Sequence, residues 1–121
     1  MELMSTLADE SGVLFTALYE NSRGFPNSEE NRLLAVRYDE LVHLPMSEPN
    51  IARAMQLIGE LIELLKKLIG EEGNNIELLK TLIGHLILVL SAWGKIEVQA
   101  DIKESNFDEL YRELKKLQTE S

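Results

Sequence analysis

The chain has 121 residues, enough for one compact domain whose core needs no metal or disulfide to hold it. Twelve basic against twenty-one acidic side chains give a formal charge of -9, a field that repels phosphate backbones and anionic membrane faces and so argues against nucleic acid or a membrane surface as partner. Cysteine is absent, which removes disulfides, thiolate zinc sites and cysteine nucleophiles and fits a reducing, cytoplasmic location.

Leu and Ile dominate the second half of the chain and aromatic residues are few, a composition suited to helix packing. The opening Met1-Glu2-Leu3-Met4-Ser5 lacks the cationic start of a signal peptide. From Leu3 to about Tyr19 the apolar residues Leu3, Met4, Leu7, Val13, Leu14, Phe15 and Leu18 follow a loose helical period, weakened at Ser11-Gly12. Turn formers gather from Asn21 to Asn27. Asn27 and Glu30 then have the spacing of a reciprocal cap for a second helix that reaches Leu44 and stops at Pro45. That helix offers Leu33, Leu34, Val36, Tyr38, Leu41 and Val42 to a core.

Pro45 to Pro49 form a short rigid connector, and a third helix starts near Ser47 or Pro49. Along it Ile51, Met55, Ile58, Leu61, Ile62, Leu65, Leu68 and Ile69 recur every three or four residues, which at 1.5 Å per residue makes about 30 Å of amphipathic helix. Gly70 to Asn75 reverse the chain into a fourth helix, Ile76 to about Val98. The expected product is an antiparallel hairpin.

The most apolar stretch of the fourth helix, Leu82 to Trp93, is interrupted by Gly84, His85 and Ser91 and reads as too short to span a bilayer. It carries more apolar surface than one neighbour can cover, so it is expected at the centre of the domain or in a subunit interface, with a homo-oligomer as the consequence. Asp101 and Glu104 can cap a fifth helix with the stripe Phe107, Leu110, Leu114 and Leu117, and the polar Gln118 to Ser121 are expected to fray. The expectation is thus a single all-α domain, residues 1–121, built as a bundle of four to five helices around a central antiparallel hairpin.

Three residues on this hairpin could carry chemistry. Glu60 and Glu63, three apart on one helix, present neighbouring carboxylates that could share a hard cation such as Mg²⁺, although a glutamate with Lys66 or Lys67 a turn later is also ordinary surface chemistry. His85 could join them around a transition metal, or pack as a core histidine beside Leu78, Leu82 and Val89. His43, just before Pro45, fits a cation at a helix C-terminus. Trp93, Tyr19, Tyr38 and Tyr111 could stack a base but at helical spacing read as core. No glycine-rich phosphate loop and no nucleophile elbow is present.

The segments Leu57-Ile58-Gly59-Glu60-Leu61-Ile62-Glu63-Leu64-Leu65 and Leu82-Ile83-Gly84-His85-Leu86-Ile87-Leu88-Val89-Leu90 resemble the all-α nucleoside triphosphate pyrophosphohydrolases, the superfamily of MazG, dUTPase-like and phosphoribosyl-ATP pyrophosphohydrolase proteins. The resemblance covers residues 51 to 117 or so. It implies a MazG-like bundle in which an E-x-x-E helix and an E-x-x-D helix hold Mg²⁺ against a nucleotide triphosphate, with Glu60 and Glu63 as the first acidic pair. In the second motif Leu82 and His85 stand where the family has its two acids. Glu97 and Asp101, spaced by four, read as helix-end charges and not as replacements. The family resemblance therefore points to a non-catalytic or weakly catalytic protein that binds a nucleotide or protein ligand and itself; the alternatives are a Mg²⁺-dependent pyrophosphohydrolase and an unrelated acidic helical adaptor.

Overall fold

A computed structural model describes residues 12–13, 16–17, 28–70, 76–100 and 106–120. Among them every regular element is helical: α1 (Ser28–His43), a single 3-10 turn (Glu48–Asn50), α2 (Ile51–Ile69), α3 (Ile76–Gln99) and α4 (Phe107–Glu120). Gly12, Val13, Thr16 and Ala17 are also helical, with the Thr16 hydroxyl donating to the Gly12 carbonyl at 3.0 Å, as in the first helix expected from sequence. Val13, however, is 73% exposed and does not belong to an inward stripe. The rest of that segment, the Asn27 cap and the Asp101 and Glu104 caps lie outside the described residues.

Helix α1 buries Leu34, Ala35, Tyr38 and Leu41, one face at helical spacing. Leu33 and Val36, expected in the core, fall on the opposite side and are 37% and 45% exposed, because only a stripe spaced by three and four can face α2. After His43 the connector is held by Asn50, whose side-chain amide donates to the Pro45 carbonyl (2.9 Å) and to the Ser47 hydroxyl (3.2 Å). Ser47 precedes the 3-10 turn, with Pro49 inside it, and the turn runs straight into α2. Proline is tolerated there because the first turn of a helix has no partner for its N–H.

The buried residues of α2 form a wide face: Ile51, Ala54, Met55, Leu57, Ile58, Leu61, Ile62, Leu65 and Leu68. Such breadth serves more than one neighbour, and α2 packs against α1, α3 and α4. The central helix is therefore α2 and not the more apolar α3. Gly70 caps α2 in a right-handed conformation, φ -76° and ψ -8°, its N–H donating back to Lys66 and Leu68 carbonyls, so no left-handed glycine is needed there.

Helix α3 packs along α2 and α4, and its buried set runs from Leu79 to Glu97. Gly84, His85 and Ser91 interrupt its apolar run but not the helix, as expected: Ser91 donates its hydroxyl to the Ile87 carbonyl at 2.9 Å, and the helix spans 24 residues. By length and composition alone α3 could cross a membrane, contrary to the estimate from Leu82 to Trp93; half of its most apolar window is buried inside the protein. Most of the apolar surface that suggested an interface is covered by the chain itself, leaving Leu88 (47%) and Val98 (80%) exposed.

Helix α4 closes on α3 and α2 through Leu110, Leu114 and Leu117. The Phe107 ring lies over Gly94 of α3, at a place where a Cβ would come within 2.5 Å of it, so glycine at 94 permits this approach. The tail does not fray at Gln118 as expected. Helix runs to Glu120, and the Thr119 hydroxyl donates to the carbonyls of Lys115 (3.2 Å) and Lys116 (3.0 Å).

Candidate functional site

Glu60 lies on the flank of α2 that faces α1. Its Oε2 is 3.4 Å from Nε of Arg37, and Arg37 in turn stands 3.6 Å from Oε1 of Glu40. Arg53 donates to Oε2 of Glu40 through Nε at 2.8 Å and through a second, shorter bond from its terminal nitrogen. Arg53, Glu40, Arg37 and Glu60 thus form a row of alternating charge along the seam between α1 and α2. All four side chains are more than a third exposed, so each pair contributes at most about 1 kcal/mol and chiefly fixes the register of α1 on α2.

Glu63 has a different partner. It is an exposed side chain 3.8 Å from Lys66, and the Lys66 ammonium reaches across to Glu113 of α4 at 2.8 Å. The expected surface pairing of Glu63 with Lys66 is present, and it is shared with a second helix. Bonding to Glu113 raises the Lys66 pKa above its ordinary value and lowers that of Glu113; Lys67 likewise lowers Glu30 of α1 through a 2.8 Å bond.

The two depressed carboxylates predict a mild acid sensitivity. A carboxylate whose folded pKa lies below its ordinary 4.5 stabilises the folded state above that value, and the contribution is lost as pH falls through the lowered folded pKa. Denaturation midpoints should therefore fall as pH is taken from 5 down past the ordinary value of 4.5, with a shallower fall in Glu113→Gln. For Lys66 the sign is opposite: its contribution holds below the ordinary 10.5 and is lost as pH rises through the raised value. Equal slopes for Glu113→Gln and the parent protein would show that the α2–α4 bridge does not contribute.

On α3, Leu82 is wholly buried and His85 is 6% exposed. The His85 ring meets the edge of Tyr38 from α1, centroids 5.5 Å apart and planes at 69°. His85 belongs to the seam where α1 meets α3, on the packed side of its helix. Edge-to-face rings at this separation attract one another, which suits a core role.

The structure does not bring Glu60, Glu63 and His85 together. Among the described residues no three His, Asp or Glu side chains could share a metal ion. Glu60 and Glu63 each have a cation of the chain within 4 Å, and Leu82 supplies no oxygen for a hard ion such as Mg²⁺.

Two features were missed in the sequence. The first is Arg37 as partner of Glu60, which depends on how α1 docks and leaves no local signal. The second is the burial of Glu97, which lies in the last turn of α3 as a helix-end charge should but is 4% exposed, with neither carboxylate oxygen hydrogen-bonded among the described residues. That signal was available, since Leu86, Leu90, Trp93 and Glu97 follow one another by four, three and four residues on one face. His43 behaves as expected of a helix C-terminal residue, with Nδ1 3.1 Å from an Asp39 carboxylate oxygen and 2.9 Å from the Asp39 carbonyl. Trp93 and Tyr38 are core residues, while Tyr111 is half-buried and stacked on Phe107 at 6.0 Å; Tyr19 lies outside the described residues.

The described residues define an all-helical bundle with ion-paired seams and a core-packed histidine. The chain matches no family model, no curated protein and no solved structure.

Proposed function

We propose that this protein is a MazG-like helical bundle that acts in the cytoplasm by binding, to a nucleotide or protein ligand and to further copies of itself, with little or no catalysis. One observation carries this reading: the acids of the first motif, Glu60 and Glu63, stand beside Arg37 and Lys66, and the matching positions on α3 are a core leucine and a packed histidine. A pyrophosphohydrolase needs free carboxylates to hold its cation against the phosphates. The antiparallel hairpin is supported by contacts of α4. Gly59 and Lys66 of α2 lie by Leu110 and Glu113 in the same order along both helices, while Phe107, the first residue of α4, packs on Gly94 near the end of α3. With α4 parallel to α2 and doubling back on α3, the pair α2 and α3 runs antiparallel.

A pyrophosphate-release assay over the nucleoside triphosphates, with Mg²⁺ and with Mn²⁺, tests the catalytic side. No turnover above the protein-free blank is expected. Turnover that Glu63→Gln abolishes would overturn the reading. Glu60→Gln should lower stability by less than about 1 kcal/mol, as an exposed ion pair does, and the loss should not depend on Mg²⁺. Self-association is tested by light scattering of the parent protein and Leu88→Asp: a larger species that the substitution dissociates is expected, and a strict monomer would remove self-association from the proposal.

A further inference from the structure

We propose that Glu97 anchors a binding site for an organic cation, a primary ammonium or a guanidinium group, at the C-terminal end of α3. The proposal stands apart from the family resemblance and rests on the residue itself. Glu97 is 4% exposed and, among the described residues, neither oxygen has a hydrogen-bond partner. A carboxylate taken out of water without a donor or counter-ion is costly, and chains retain such groups chiefly where something completes them. Within its own helix nothing does: Lys95, two residues earlier, is exposed and projects from a different side, since residues two apart on a helix do not face one another.

The surroundings specify the class of partner. Glu97 sits in the last turn of α3, where the helix carbonyls add negative potential and favour a positive charge. Trp93, one turn earlier, shares its face, and Phe107 lies over Gly94, three residues before Glu97, stacked on Tyr111 with planes at 16°. Aromatic faces attract ammonium and guanidinium ions, and a carboxylate with both oxygens available can take a guanidinium through two parallel hydrogen bonds. A hard metal ion is the poorer occupant. It needs several oxygens, and among the described residues no set of three ligating side chains includes Glu97.

The probe is agmatine, which carries both cationic groups, compared at matched ionic strength with arginine amide, MgCl₂ and NaCl. The side-chain carboxyl ¹³C resonance of Glu97 is assigned by its loss in Glu97→Gln. Agmatine is expected to move that resonance saturably and, at about ten times its Kd, to raise Tm by about 5–6 °C, with both effects absent in Glu97→Gln. A response to arginine amide stronger than to agmatine would support the same site and point to a peptide arginine as the source of the cation; the reverse order would point to a free amine. The proposal is overturned if the resonance does not move, if Glu97→Gln shows the same rise in Tm, or if Mg²⁺ produces the shift and agmatine does not. Should Glu97→Gln fail to fold, Glu97→Met, which removes the charge at similar bulk, takes its place with the same two readouts.

Discussion

Leu82→Glu is expected to cost the protein a large share of its stability at neutral pH and not to create an acidic metal motif. Leu82 is wholly buried among the residues of the common core, so the new carboxylate would be desolvated as well as leaving the packing of the leucine unreplaced. The loss is about 4 kcal/mol or more, a large share of the roughly 5–15 kcal/mol that holds a domain of this kind folded. Urea unfolding followed by circular dichroism, with and without Mg²⁺, measures it. The double variant Leu82→Glu/His85→Asp, which rewrites the second motif in the family's form, is expected to be no better and to gain nothing from the cation. If the double variant folds and is stabilised by Mg²⁺, the face of α3 at residue 82 opens on a cleft that Glu60 and Glu63 share, and the binding-only reading fails.

Leu61→Ala should cost about 3–4 kcal/mol, near the middle of the range for emptying a leucine site in a packed core. Leu61 is wholly buried on α2, the helix in contact with α1, α3 and α4, so the cavity has little freedom to collapse without moving a neighbour. The urea midpoint should fall with the slope unchanged, since the surface exposed on unfolding is nearly the same. Leu33→Ala is the control. Its side chain is on the outward face of α1, and the change should stay within about 0.5 kcal/mol. Equal losses at the two positions would contradict the assignment of α2 as the centre of the bundle.

The helices were legible where periodicity is long and regular. The stripe from Ile51 to Ile69 marked most of the buried face of α2, missing Ala54 and Leu57 and including the partly buried Ile69, and Leu110, Leu114 and Leu117 marked α4. Legibility failed where apolar residues were more numerous than the face that could be covered. Leu33 and Val36 are as apolar as Leu34, and only the docking of α1 on α2 decides which of them is inside. At Gln118 to Glu120 polarity suggested fraying, but α4 is anchored by Leu117 and extended by the local bonds of Thr119. In the candidate site, the surface pairing of Glu63 with Lys66 could be read from spacing of three. The partners Arg37 and Glu113 could not, because each comes from another helix.

By itself the sequence determined helical character, the two long amphipathic segments after Ile51 and Ile76, and the lack of carboxylates at positions 82 and 85, all of them properties of spacing and residue type along one helix. Tertiary structure alone decided that α2 and not α3 holds the centre of the described helices, that Glu60 stands beside Arg37 of α1 while the lysine next to Glu63 bridges to α4, that His85 faces Tyr38, and that Glu97 is buried without a hydrogen-bond partner among the described residues. The physical reason is the same in each case: periodicity states which residues share a face, whereas the environment of that face, and so the worth of any charge on it, is set by the helix that packs against it.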